Sequence, residues 1–226
     1  MYEQDMGAPP TDVEVGTTKH SGPVALEIEG LSRSFQGRTI VTRFDLSLDI
    51  GERVALRGPN GSGKTTILRC IAGTLAPSHG TVRVGGHTAG TFEAREMVGP
   101  SLSLERSFYR RLSGRENLMF FARLRHVSKR HALEDVAGIE QELQLTEILN
   151  RRVDRCSTGM LQQLAVARAL LGDPHILLLD EPTRSLDTDA VERIWAAVDR
   201  RACAVVIASH VPADIERCER VYDLPT

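Results

Sequence analysis

Two kinds of apolar pattern run through the chain. Over 25–29 and again over 44–50, apolar and polar residues alternate, with Phe44, Leu46, Leu48 and Ile50 separated by Asp45, Ser47 and Asp49. Period-two alternation predicts two half-exposed strands that pair antiparallel. By contrast, Ile176, Leu177, Leu178 and Leu179 form a continuous apolar run, and 204–209 repeats it. Such runs predict strands buried on both faces of a parallel sheet. Val54, Ala55 and Leu56, bounded by Gly51 and Gly58, predict a further strand over 53–57, and 80–86 reads as a short strand and turn.

Between these runs the spacing becomes helical. Ile67, Leu68 and Ile71 follow Lys64 at helical intervals. Leu161, Leu164, Arg168 and Leu171 predict a helix over 157–171, which Gly172-Asp173-Pro174 stops. Val191, Ile194, Trp195 and Val198 form an i, i+3, i+4, i+7 stripe over 188–200, which places Trp195 in the core, and Pro212 opens a last helix. Over about 92–160 strand signals disappear and the region reads as an inserted helical lobe. Ser113-Gly114-Arg115-Glu116 there fits a capping box, and a second helix is expected over 131–149. Phe108, Tyr109, Arg110 and Arg111 precede the box in a loop or short turn. The expected class is α/β: a parallel sheet flanked by helices, an N-terminal antiparallel β region and an inserted helical lobe. Residues 1–23 are polar, carry Pro9-Pro10 and lack either period, which suits a flexible tail before a domain spanning 24–226.

The chemistry is concentrated where the 53–57 strand meets its helix. Gly58-Pro59-Asn60-Gly61-Ser62-Gly63-Lys64-Thr65-Thr66 fills the G-x-x-x-x-G-K-[ST] pattern between a predicted strand and a predicted helix, the context that gives the pattern meaning. Three glycines let backbone N–H groups turn inward around phosphate oxygens, and the helix N-terminus adds roughly half a positive charge at the same place. Lys64 then reaches the outer phosphates, and the Thr65 hydroxyl is placed to coordinate magnesium. Only three lysines stand among the 28 Lys and Arg residues. A lysine here thus marks a need for a compact point charge rather than a planar fork.

Two carboxylates, Asp180 and Glu181, end the buried 176–179 run. A carboxylate in apolar surroundings costs several kcal/mol unless a cation or donors meet it, a need that a metal and a reacting water would fill. As neighbours at a strand end they are expected to point to opposite sides and so to serve different roles. His210 ends the 204–209 run, and ligands of open α/β sheets sit beyond the carboxyl ends of the strands. Phe35 sits in a polar turn, where a ring is free to stack on a base or to pack as an ordinary apolar residue.

In this order the motifs resemble the ATP-binding subunit of an ABC transporter across nearly the whole chain from about residue 25, on a phosphate-loop NTPase core. Phe35 matches that family's adenine-stacking aromatic, and Cys156-Ser157-Thr158-Gly159-Met160 stands at its signature, usually L-S-G-G-Q. Arg184-Ser185-Leu186-Asp187 matches the loop that communicates between subunits, and His210 the switch histidine. The resemblance implies ATP and Mg2+ as cofactors, Asp180 and Thr65 at the metal and Glu181 polarising the attacking water. It also implies a head-to-tail dimer with a second copy or a homologous subunit, in which Ser157 and Gly159 of one copy close over ATP bound by the other. An integral membrane subunit would hold the chain on the cytoplasmic face of the membrane, and 108–111 lie where the family receives that partner. The signature variant is similar to those of exporters of polysaccharide, lipid-linked or drug-like cargo. The family's loop glutamine is missing: Leu104 stands at its place, with Glu105 beside it as the candidate substitute. A soluble ABC-type ATPase of assembly, for example of iron-sulfur clusters, would carry the same catalytic residues.

Composition narrows the partners. A net charge of −2 with both signs mixed along the chain offers no polybasic groove, which argues against nucleic acid. No apolar run reaches the roughly 18 residues of a membrane span, so the membrane is reached through a partner. Cys70, Cys156, Cys203 and Cys218 show no metal-binding spacing and read as reduced thiols.

Overall fold

The computed structural model describes residues 23–102, 108–125 and 128–225. The expected tail at 1–23, apart from Pro23, and the Leu104 and Glu105 positions lie outside them. The chain opens with β1 (Val24–Phe35) and β2 (Arg38–Asp49), an antiparallel pair. They are joined by Gln36 and Gly37 with φ of 47° and 80°. Two successive residues at positive φ match the right-handed twist of a hairpin. Then follow β3 (Arg53–Arg57), α1 (Lys64–Ile71), β4 (His79–Val84), β5 (His87–Thr88), α2 (Phe92–Met97) and β6 (Val98–Ser101). The helical region comprises α3 (Gly114–Leu124), α4 (Lys129–Leu143) and α5 (Thr146–Asn150). The chain ends with α6 (Thr158–Leu170), β7 (Ile176–Asp180), α7 (Thr188–Asp199), β8 (Ala204–Ala208), α8 (Pro212–Ile215) and β9 (Arg220–Asp223).

The strands form two sheets, an antiparallel one in the order β2-β1-β4-β5 and a parallel one in the order β6-β7-β8-β3-β9. The continuous apolar runs divide strictly between the faces of the parallel sheet. Ala55, Leu177, Leu179, Val205 and Ile207 pack against the helical region, α6 and α7. Val54, Leu56, Ile176, Leu178 and Val206 pack against α1 and the antiparallel sheet. Each fully buried Leu or Ile contributes about 1.5–3 kcal/mol relative to leaving it in water, so both faces hold the sheet in place. Trp195 is 2% exposed, as its position in the stripe predicts.

Two stretches differ from the periodicity. Val98–Ser101 lies inside the region read as helical yet pairs with β7 as the edge of the parallel sheet. Val-Gly-Pro-Ser is too short to alternate, Pro100 is tolerated because the strand is at an edge, and a Cβ on Gly99 would stand 2.1 Å from the Ala169 carbonyl. The helix expected over 131–149 is two helices, broken at Gln144 in the left-handed region with φ 55° and ψ 48°. The capping box forms as read: Glu116 N donates to Ser113 Oγ at 3.2 Å and Ser113 N to Glu116 Oε2 at 2.7 Å.

Candidate functional site

The loop after β3 is shaped by two of its glycines. Gly63, with φ 98°, is the N-cap of α1, and a Cβ there would stand 2.8 Å from Val41 Cγ2 of β2. Any side chain would be strained and would push the antiparallel sheet off the loop. A Cβ on Gly58 would likewise meet Ser62 Oγ at 2.7 Å. The first turn of α1 carries no acidic residue, so its N-terminal N–H groups and dipole face the loop uncompensated. Lys64 Nζ donates to the Gly58 carbonyl at 2.6 Å and the Pro59 carbonyl at 2.9 Å, which folds the ammonium across its own loop. Ser62 Oγ is buried with no partner among the described residues.

The sheet order places β7, β8 and β3 side by side and parallel, so their carboxyl ends open on one crevice. Thr65 Oγ1, one residue into α1, donates to Asp180 Oδ2 at 2.8 Å and joins the loop to the end of β7. Burial raises the Asp180 carboxyl above its ordinary value; the Thr65 hydrogen bond opposes that shift, and the neighbouring Glu181 adds to it. The strand stops at Asp180. Glu181 has φ 49°, and its N–H donates to the Ala208 carbonyl at 2.8 Å. The two carboxylates therefore diverge because the backbone turns there, and not through strand alternation as the sequence suggested. Glu181 Oε1 lies 2.7 Å from His210 Nδ1, while Oε2 is buried with no partner among the described residues.

Phe35, the last residue of β1, is 41% exposed, with the Arg33 guanidinium 4.5 Å from its ring centroid. Ser157 is the N-cap of α6, where its side chain accepts from Met160 N. A Cβ on Gly159 would stand 2.7 Å from the Ser185 carbonyl, so the signature stretch packs on the 184–187 loop of the same chain. Among the described residues no hydrogen bond joins Ser157 or Gly159 to the phosphate loop. The loop, Asp180, Glu181 and His210 are thus brought together within one chain, and the signature is not part of that cluster.

Two features escaped the sequence. One is a buried carboxylate, Asp214, beneath the Glu181 and His210 segments. The other is a groove of about 1000 Å³ between the sheet and the helical region, lined among others by Arg69, Phe92, Phe108, Tyr109, Leu124 and Arg168. Arg168 lies 5.0 Å and 5.1 Å from the Phe108 and Phe121 ring centroids and donates to the Pro100 carbonyl at 3.2 Å. Burial lowers its guanidinium to about 10. Its one sequence signal was an arginine on an otherwise apolar helical face.

A glycine-framed loop at a helix N-terminus, with Lys64, Thr65–Asp180 and Glu181–His210 around one crevice, defines a phosphate-loop ATPase domain. The chain belongs to the ABC transporter family, whose family model matches residues 41–184. It is 34% identical over 210 residues to Nod factor export ATP-binding protein I of Rhizobium johnstonii, covering 88% of this chain and 66% of that protein. It is also 34% identical over 200 residues to ABC transporter ATP-binding protein NatA of Bacillus subtilis, covering 84% and 81%. The chain thus spans just under two thirds of the length of the first relative. Among solved structures, the dimeric structure of MJ0796, a bacterial ABC transporter cassette, superposes with a TM-score of 0.80 at 23% identity, covering 88% of this chain and 94% of that one. At that identity the likeness is one of fold. Among the described residues no helix is long and apolar enough to cross a membrane.

Proposed function

We propose that this chain binds and hydrolyses ATP to drive an exporter, acting as a dimer with a second copy or a homologous subunit on the cytoplasmic face of a membrane. The observation that carries the reading is the convergence of Lys64, Thr65, Asp180, Glu181 and His210 at the carboxyl ends of three adjacent parallel strands. The Rhizobium relative, a Nod factor export ATP-binding protein, supports the direction of transport.

In this reading ATP phosphates replace the two carbonyls that Lys64 now contacts, and the N–H groups of 60–66 close around them. The Thr65 hydroxyl and the Asp180 carboxylate are hard oxygen donors, the set that suits a magnesium ion taking its remaining ligands from phosphate and water. Bound there, magnesium would supply charge neutralisation at the transferring phosphoryl group. Glu181 Oε2, without a partner among the described residues, accepts a proton from the attacking water. His210 holds Oε1 and faces the γ-phosphate side. Phe35 stacks on the base, and Ser157 and Gly159 of the second copy close the crevice. The groove beside Phe108 and Tyr109 receives the membrane subunit.

Glu181→Gln tests the assignment. It keeps size and hydrogen bonding but removes the base, so phosphate release should fall by about 10² to 10⁴. Magnesium-ATP should still bind, and size-exclusion chromatography should show an ATP-dependent dimer. A variant that releases phosphate at the wild-type rate would remove Glu181 from the mechanism, and one that is inactive yet monomeric with ATP would remove the shared-site dimer.

A further inference from the structure

The contact between Glu181 and His210 is a single 2.7 Å approach between two different segments, and the His210 side chain is 66% exposed. An exposed pair of this kind holds its own geometry weakly, because water and rotamer freedom compete with it. The Glu181 N–H bond to the Ala208 carbonyl, at 2.8 Å, joins the two backbones up to that point, and a second tie beneath them holds the segments beyond it.

Asp214, the third residue of α8, is 1% exposed. Its Oδ2 accepts from Thr183 Oγ1 at 2.8 Å and from Ser209 Oγ at 2.9 Å. Its Oδ1 accepts from Trp195 Nε1 of α7 at 3.3 Å. Ser209 Oγ accepts in turn from Val211 N at 3.0 Å, so one hydroxyl clamps the backbone on the far side of His210. Thr183 stands two residues after Glu181 and Ser209 one residue before His210. One carboxylate oxygen therefore ties together the two segments that carry the pair. Three donors satisfy the buried charge, and no cation is needed to explain it.

We infer that Asp214 is the positioning residue of the hydrolytic site: through Thr183 and Ser209 it sets the distance between Glu181 and His210. The inference rests on the reading above that these two residues are the working pair. Asn could keep both tethers by turning its one amide oxygen to Thr183 and Ser209 and its N–H₂ group to Trp195, so the substitution that removes the acceptor is Asp214→Ala. The phosphate loop makes none of these contacts. The effect should therefore fall on turnover and spare ATP binding, a split that general destabilisation does not produce.

The test is phosphate release and binding of a fluorescent ATP analogue, with melting temperatures, on the full chain. Asp214→Ala should lower kcat by roughly 10²-fold, the usual consequence of misplacing reacting groups by about 1 Å. The analogue's Kd should stay within about twofold. Thr183→Val and Ser209→Ala each cut one tether and should lower kcat on the order of tenfold, with little further loss when either is combined with Asp214→Ala. Trp195→Phe removes the donor on the other oxygen; it should lower the melting temperature and leave kcat within about twofold. If Asp214→Ala does not fold, the two hydroxyl variants decide. Wild-type kcat in both, additive losses with Asp214→Ala, or an equal loss in Trp195→Phe would overturn the inference. Glu181→Gln assayed alongside separates the failures. If it is inactive while the tether variants are silent, only the role of Asp214 falls; if it turns over normally, the working pair falls and the inference with it.

Discussion

Phe35 shows what one exposed ring is worth at this site. At 41% exposure it contributes little to the core, and its partner is the Arg33 guanidinium, which also donates to the Ala76 carbonyl. Stacking of a base on such a ring is worth about 1 to 3 kcal/mol and tolerates any base. Phe35→Ala should therefore weaken ATP and GTP about equally, by roughly 5- to 150-fold at 1.4 kcal/mol per tenfold, and leave the melting temperature nearly unchanged. Isothermal titration with both nucleotides checks this; an unchanged affinity for both would remove Phe35 from the nucleotide site. The phosphate loop was legible in the sequence because its function fixes the spacing of glycines, lysine and threonine along a contiguous stretch. Asp214 was not legible, because its donors lie 31, 19 and 5 residues away and nothing local marks a carboxylate whose partners arrive only on folding.

At the scale of elements, strands and helices were readable wherever a face is buried, since burial imposes the period. The elements that escaped lack that imprint. β6 is a four-residue edge strand whose identity comes from the neighbour it pairs with. The break between α4 and α5 escaped because the usual glycine is absent at a left-handed C-terminal position, where Gln144 stands instead. For an L-residue that conformation costs roughly 1–2 kcal/mol. Glycine avoids the strain but adds unfolded-state freedom worth about 0.5–1 kcal/mol. Gln144→Gly is therefore expected to leave stability unchanged or raise it by up to about 1.5 kcal/mol, whereas Gln144→Val, β-branched and ill-suited to positive φ, should lower it by about 1 kcal/mol or more. Urea unfolding of the two variants beside the parent decides. Equal stability of the glycine and valine variants would show that the turn is not held in the left-handed region in solution.

For the whole molecule, the parallel sheet separates two working surfaces. Its carboxyl ends carry the crevice proposed for the nucleotide, while the groove opens between its β6 edge and the helical region, and Arg168 of α6 reaches from the helical side to the Pro100 carbonyl of β6. The groove leaves large apolar side chains in water, with Phe92 54%, Leu124 57% and Tyr109 52% exposed. A cluster of exposed apolar residues around a concave surface marks an interaction site more often than chance. In the proposed transporter that site seats the membrane subunit. A charge introduced there should break the docking without disturbing hydrolysis, because none of these side chains contacts the phosphate loop, Asp180, Glu181 or His210 among the described residues. Leu124→Glu projects from the last residue of α3, and Phe92→Glu from the first residue of α2. Neither position is in the core, so both variants should fold, bind ATP and release phosphate as isolated subunits within about twofold of the parent. In cells, detergent extraction should recover the parent together with a multi-spanning protein and recover Leu124→Glu alone. Copurification of that protein with both variants at the parent's level would place the docking surface elsewhere, and the absence of any membrane protein with the parent would favour a soluble ATPase over a transporter subunit.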